Sequence, residues 1–260
     1  IEREDNADTS EHTRWIDMLV APGSSLGGAR PKANVVDENG RLWIVKFPSA
    51  GDTKDSGAWE MVTAEMARSC GIEMSECRAQ RFGNRHHSFM TERFDRTDTG
   101  RRIHFASAMT LLGYTDGTSH TEGASYLELA EWIIANCDDT DRNLEQLWRR
   151  IVFNIAVSTC HDHLRNHGFI LTPQGWRLSP AYDMNPDEYG TGLKLNISEN
   201  DNSLDFDLSM SITPYFGLES ARAESILAEV KRVVSGWRKL ATKYGISKSE
   251  QDAMERAFRY

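Results

Sequence analysis

Apolar and polar positions change their period partway along the chain. Residues 33–48, ANVVDENGRLWIVKFP, alternate around an Asn-Gly pair and predict two strands joined by a turn. Just upstream, APGSSLGGARPKA places three glycines and two serines within six residues. Residues 58–69, AWEMVTAEMARS, are rich in helix formers and stop before Gly71, which predicts a helix with a glycine at its end. SFMTERFD, residues 88–95, predicts a further strand followed by a turn. From about residue 105 the period becomes helical. Leu144, Leu147, Trp148, Ile151, Val152 and Ile155 follow the i, i+3, i+4, i+7 series, an amphipathic helix. Residues 125–137 predict a second helix, and the apolar series Ile226, Leu227, Val230, Val233, Val234, Trp237 a third. Between them, GFIL and GWRLSPAYDM predict two short strands that meet at TPQG. The fold class is therefore α+β: a small sheet-rich lobe over residues 1–96 and a larger, mainly helical lobe over residues 97–260. Two such lobes leave a cleft between them.

Composition narrows the picture. With 260 residues, 39% of them hydrophobic, the chain can bury a sizeable core. No run approaches the roughly 20 apolar residues of a membrane span, so no membrane partner is expected. The chain opens on Ile1 with an acidic, polar lead-in and reads as a product whose upstream part is missing. A net charge of −9 argues against direct nucleic-acid binding through a broad basic face, although RFDRTDTGRR is a local basic patch. Cys70, Cys77, Cys137 and Cys160 match neither a zinc ribbon nor a disulfide framework, and reduced thiols in the cytoplasm are expected.

The candidate chemistry lies in five places. The Gly/Ser-rich loop is a candidate phosphate cradle. Lys46 ends an apolar strand, where an ammonium needs an anion unless it reaches solvent past the edge. Glu60 on the following helix is a candidate partner, or else an exposed glutamate at a helix start. STCHDHLRNHGFIL, residues 158–171, holds His161, Asp162, His163, Asn166 and His167 in seven positions after a long helix. Asp183 follows Asn166 by 17 residues, past the second hairpin. Asn166 and Asp183 would supply hard oxygen ligands suited to Mg²⁺. Loop, lysine, glutamate, asparagine and aspartate occur in the order of a two-lobed, protein-kinase-like phosphotransferase.

SSLGGARPKA, WIVKFP, TERFDR, HLRNHGFIL and WRLSPAYDMNP together resemble the signature blocks of the HipA family of bacterial serine/threonine toxin kinases, from about residue 20 to residue 190. The resemblance implies a HipA-like kinase fold lacking an N-terminal subdomain, the use of ATP and Mg²⁺, and a HipB-like DNA-binding antitoxin as partner. It also implies a protein substrate, an aminoacyl-tRNA synthetase where the type is known. Carried over by position, Gly27, Gly28, Ala29, Arg30 and Lys32 would face the phosphates, with Lys46 on the ATP and Glu60 steadying Lys46. Glu92, Arg93 and Phe94 would form the hinge that meets adenine. His163, Arg165 and Asn166, with Tyr182 and Asp183, would lie along the nucleotide, Asn166 and Asp183 holding the metal. Ser24 and Ser25 sit where the family carries a regulatory serine that can be phosphorylated.

One departure stands out. The family's catalytic aspartate stands five residues before the metal asparagine, and here that slot is His161, preceded by Thr159 and Cys160. Asp162 is one residue late, which in an extended loop turns a side chain to the opposite face. Three readings stay open: a weakened or disabled kinase, a rearrangement that brings Asp162 in as base, or His161 acting as base itself. An ATP- or antitoxin-binding pseudokinase is the non-enzyme alternative. A metal-dependent phosphohydrolase built on the His161-Asp162 dyad, with His104 and Asp183 conscripted, would leave the Gly-rich loop without a role. A zinc site on His161, His163 and His167 would need three side chains on one face, which an extended loop does not give.

Overall fold

The computed structural model describes residues 30–49, 51–83 and 85–260. Strands β1 (Lys32–Val36) and β2 (Leu42–Lys46) form the predicted hairpin, with burial alternating along both. The turn is wider than a two-residue one. The Asp37 amide donates to the Arg41 carbonyl and the Gly40 amide to the Asp37 carbonyl, both at 2.9 Å. Asp37 Oδ1 accepts the amides of Asn39 and Arg41, and Gly40 takes the left-handed position at φ 80°. Strands β3 (Cys77–Gln80) and β4 (Ser88–Glu92) complete an antiparallel sheet of order β1-β2-β4-β3. Helix α1 (Ser56–Ser69) packs Met61 and Ala64 against Cys77 and Phe89 of this sheet. The Asp55 side chain accepts the Ala58 amide at its start. At its end the Gly71 amide donates to Arg68 and the Ile72 amide to Ala67, with Gly71 at φ 74°, the glycine stop that the sequence announces.

The larger lobe begins differently from the expectation. The helical regime does not open at residue 105: Phe105–Ser107 is strand β5, paired with β6 (Gly168–Thr172), which pairs in turn with β7 (Gly175–Leu178). A short helix α2 (Ala108–Leu111) follows β5. Helix α3 (Tyr126–Asn136) starts at a capping box of Ser125 and Glu128, close to its predicted limits. The 18-residue helix α4 (Thr140–Val157) is the spine, burying Leu147, Trp148, Ile151, Val152 and Ile155 along the predicted stripe. Each such side chain contributes roughly 1.5–3 kcal/mol by leaving water. Helices α5 (Phe206–Ser211), α6 (Ser220–Val234), α7 (Trp237–Lys243) and α8 (Lys248–Met254) complete the lobe. The single helix expected through Trp237 is two: α6 ends at Val234, and Gly236 caps a new start at Trp237. Among the described residues, no helix is long and apolar enough to cross a membrane.

The two lobes meet along α1 and the segment after β7. Met74 bridges Ala181 in parallel, and the Ala181 amide donates to the Glu73 carbonyl at 2.7 Å. This junction brings the end of β2 and the middle of α1 over the loop that leaves α4.

Candidate active site

A cavity of about 820 Å³ opens between the small sheet and the α4–β6–β7 region. Lys46, the last residue of β2, reaches into it with its side chain only 11% exposed. Its Nζ donates to Glu60 Oε1 and to Asp183 Oδ1, each at 2.5 Å. Strand-edge escape to solvent, one of the readings open for this lysine, is therefore not what it does. Burial by itself would push the Lys46 ammonium down; Glu60 and Asp183 outweigh it and hold the group above its ordinary range. Burial lifts Glu60 above the ordinary carboxylate value against the pull of Lys46, with the charge of Asp183 adding to the rise. Burial also opposes ionisation of Asp183, but Lys46 wins and the carboxyl lies below its usual value. Lys32 lies on the same cavity wall, and its charge also favours ionisation of both carboxylates.

Asp183 is held in an unusual backbone. Its φ is 60°, left-handed for a residue with a Cβ, a conformation that costs on the order of 1–2 kcal/mol and persists where surrounding structure enforces it. The tie to Lys46 and a 3.3 Å hydrogen bond from Asn185 Nδ2 fix its carboxylate. The side chain remains 38% exposed toward the cavity.

The loop leaving α4 explains why neighbouring residues play opposite parts. Ser158 turns left-handed at φ 50° and ends the helix. Asp162 then points into the core, where Oδ2 accepts from Tyr126 Oη at 2.5 Å, Asn154 Nδ2 at 2.7 Å and His167 Nε2 at 2.8 Å. Burial pushes this carboxyl up, but His167 and Tyr126 bring it below its ordinary value. Asp162 does not line the cavity, and its oxygens serve the fold. The rearrangement that would make it the base is not the one this loop adopts, and the same burial takes it out of a His-Asp metal dyad. His161 faces the other way: its side chain is 85% exposed, and Nε2 lies 3.5 Å from Asp187 Oδ2. Asn166 is buried in the same loop, and its Nδ2 donates to the His161 carbonyl at 3.2 Å. That bond commits the amide nitrogen and leaves the side-chain oxygen for a cation. His163 Nε2 lies 3.1 Å from Arg165 Nη2; burial and then Arg165 hold the His163 imidazole below its usual pKa. His167, one of the three loop histidines, is buried on Asp162. Among the described residues no three His, Cys, Asp or Glu side chains converge as they would to hold a metal ion.

The other expected site residues that the structure describes also border the cavity. Phe94, Phe105 and Tyr182 form an aromatic wall with ring centroids 5.6–6.5 Å apart, and Tyr182 Oη donates to the Arg165 carbonyl at 2.7 Å. Arg93 borders the cavity too, but its guanidinium is spent on Asp95 and Asn34 and its amide on the Leu42 carbonyl. Glu92 likewise turns its carboxylate outward to Arg41 at 3.1 Å. Arg30 is clamped by Asp52 and Ser56 near the start of α1, and Lys32 lines the same wall. Gly27, Gly28, Ala29, Ser24 and Ser25 lie outside the described residues.

Sequence reasoning missed Asp187 and the donors that hold Asp162. Asp187 sits in NPDE just past Asp183, with nothing in its spacing to mark it. Its amide donates to the Ser158 carbonyl at 3.1 Å, which places its carboxylate beside His161. Tyr126 and Asn154 are anonymous members of amphipathic helices until the fold brings them onto one carboxylate.

A small antiparallel sheet, a helix whose glutamate meets a strand lysine, and a polar loop below them define a protein of the two-lobed, protein-kinase-like class. The chain matches the family model described as HipA-like C-terminal domain over residues 24–237, and it belongs to that family. It is 24% identical over 192 residues to the serine/threonine-protein kinase toxin HipA of Shewanella oneidensis, covering 63% of this chain and 43% of that protein. It is also 24% identical over 179 residues to a putative kinase of Haemophilus influenzae, covering 62% of this chain and 52% of that one. The chain thus spans about half the length of these relatives. In three dimensions it resembles the chain matched in a HipA, HipB and operator DNA complex from Shewanella oneidensis MR-1, with TM-score 0.72 and 20% identity over 96% of this chain and 68% of that one. It also resembles the Helicobacter pylori proinflammatory kinase CtkA, with TM-score 0.55 and 11% identity over 87% of this chain and 92% of that one.

Proposed function

We propose that the chain is the kinase part of a HipA-like serine/threonine toxin that binds Mg-ATP, with phosphate transfer to a protein limited by His161. The observation that carries this reading is Lys46, held at 2.5 Å by both Glu60 and Asp183 at the rim of a cavity that Asn166 also lines. A phosphate group would find a buried ammonium held charged by its two carboxylates, and the Asp183 carboxylate, kept ionised beside it, would suit a divalent cation. Asn166 and Asp183 offer hard oxygen donors and fit Mg²⁺, which when bound would neutralise charge on the phosphates. The aromatic wall of Phe94, Phe105 and Tyr182 would take the flat face of adenine, with the backbone near Glu92 and Arg93 along its edge. Gly27 to Lys32 would close over the phosphates, and phosphate on Ser24 or Ser25 would compete with them by charge. The division into residues 1–96 and 97–260, the cytoplasmic setting, a HipB-like antitoxin and an aminoacyl-tRNA synthetase substrate belong to this same reading.

The base position supports a second reading. With Asp162 buried on three donors, the residue at the base position that lines the cavity is His161, beside His163, Arg165 and Asn166, and it lacks the charge a carboxylate would carry there. A protein that binds Mg-ATP or an antitoxin without transfer would have this arrangement. Transfer from labelled ATP, with the protein alone and with candidate synthetases, decides between the two. Nucleotide binding without transfer would assign the pseudokinase; absence of binding by folded, nucleotide-free protein would remove both.

A further inference from the structure

The family match ends at residue 237, yet the chain continues to residue 260, and this last segment grips the helix that carries Glu60. Glu250, in the first turn of α8, does not turn back on its own helix. Its Oε1 accepts the Asp55 amide and the Trp59 indole Nε1, both at 2.8 Å. The Trp59 ring packs 5.9 Å from Trp237 and 5.9 Å from Phe258, which themselves stack at 4.3 Å. Further along α1, Glu65 accepts from Lys243 Nζ at 2.6 Å and Tyr244 Oη at 2.7 Å. The same segment reaches the other half of the site: the Arg259 amide donates to the Ala156 carbonyl at 2.7 Å, and Arg259 Nε to Ser158 Oγ at 3.3 Å.

Helical geometry gives these contacts a consequence. Trp59 and Glu60 are consecutive, so their side chains leave α1 about 100° apart. Whatever fixes the direction of Trp59 fixes the direction of Glu60. A rotation of α1 that freed Trp59 would swing Glu60 off Lys46. We infer that residues 237–260 are a positioning strap: Glu250, through Trp59 and Asp55, sets the rotation of α1 that keeps Glu60 on Lys46, while Arg259 ties the strap to the start of the polar loop. Glu250 and Trp59 are positioning residues that act through Glu60. For its effect on nucleotide the strap rests on the function proposed above; its effect on α1 does not.

Hydrogen exchange and Mg-ATP titration on the whole chain test this. In Glu250→Ala, amides of residues 57–61 should exchange about tenfold faster, with those of α4 unchanged. Mg-ATP affinity should fall about fivefold, and Glu250→Gln, which keeps the acceptor oxygen, should restore both. Trp59→Phe keeps an aromatic ring but lacks the indole donor, and should reproduce Glu250→Ala. In a Glu60→Ala background, Glu250→Ala should add no further loss of affinity. Wild-type exchange at residues 57–61 in both Glu250→Ala and Trp59→Phe would overturn the strap, as would a loss of affinity that simply adds to that of Glu60→Ala. Failure of the native protein to bind Mg-ATP would remove the proposed function, and the exchange measurement, which needs no nucleotide, would then decide the strap alone.

Discussion

The neighbours His161 and Asp162 face opposite surroundings, one exposed on the cavity side and one buried in the core. Asp162 is the acceptor for three buried donors from α3, α4 and the end of its own loop. Removing it strands Tyr126, Asn154 and His167 in the core, and Asp162→Ala should cost about 3–5 kcal/mol in urea unfolding. Its carboxyl lies below the ordinary value when folded, so the unfolded chain takes up the proton first as the pH falls. The stability that Asp162 contributes is fully present above about pH 5 and is lost below about pH 4, as the pH falls through the folded value. Urea midpoints measured from pH 7 to pH 3 should therefore drop at the acid end, and less steeply in Asp162→Asn. His161 carries none of this. A positioned base is worth about 10²–10⁴-fold in rate, so His161→Asp should raise phosphate transfer at least tenfold while the Mg-ATP melting shift stays put. A shift that changes together with the rate would mean that position 161 acts on binding instead.

Among the elements, periodicity was readable wherever burial on one side enforced it. The stripe of α4 and the alternation in β1 and β2 are visible because each residue's neighbour in space is set by the local repeat. Ile151→Ala, at the centre of that stripe, should destabilise by about 2–5 kcal/mol in urea. Strand β3, CRAQ, was not legible: it is a four-residue edge strand whose two inward side chains, Cys77 and Ala79, are too small and too few to show a period, and it is held by pairing to β4 and by packing on α1. Strand β5 is three residues long, too short for any period, and exists because β6 offers it an edge. The break between α6 and α7 rests on Gly236, which interrupts an apolar series that otherwise continues to Trp237.

At the scale of the whole molecule, the site is a meeting of distant parts. Lys46 and Asp183 stand 137 positions apart, and Trp59 and Glu250 stand 191 apart. The order of the kinase-like residues was legible because a strand lysine, a helix glutamate and a loop asparagine each carry a local signal. Contacts such as Glu250 on Trp59 or Asp187 beside His161 carry none, since either partner alone is an ordinary surface acid or a core aromatic. If the assembled site holds nucleotide, Mg-ATP at about a hundred times its Kd should stabilise the fold by roughly 2.7 kcal/mol. Lys46→Met and Asp183→Asn should each shrink that shift in a thermal melt. Each removes one end of a buried contact between the two lobes, so each should also lower the melting temperature without ligand.

The loop after α4 keeps its course through Asp162, Ser158 and Asn166, and none of these depends on what occupies position 161. Histidine and aspartate codons differ by a single base. If the chain is the kinase proposed above, a lineage carrying this gene could lower or restore phosphate transfer by one point mutation, with the fold and the cavity around Lys46 passed on intact.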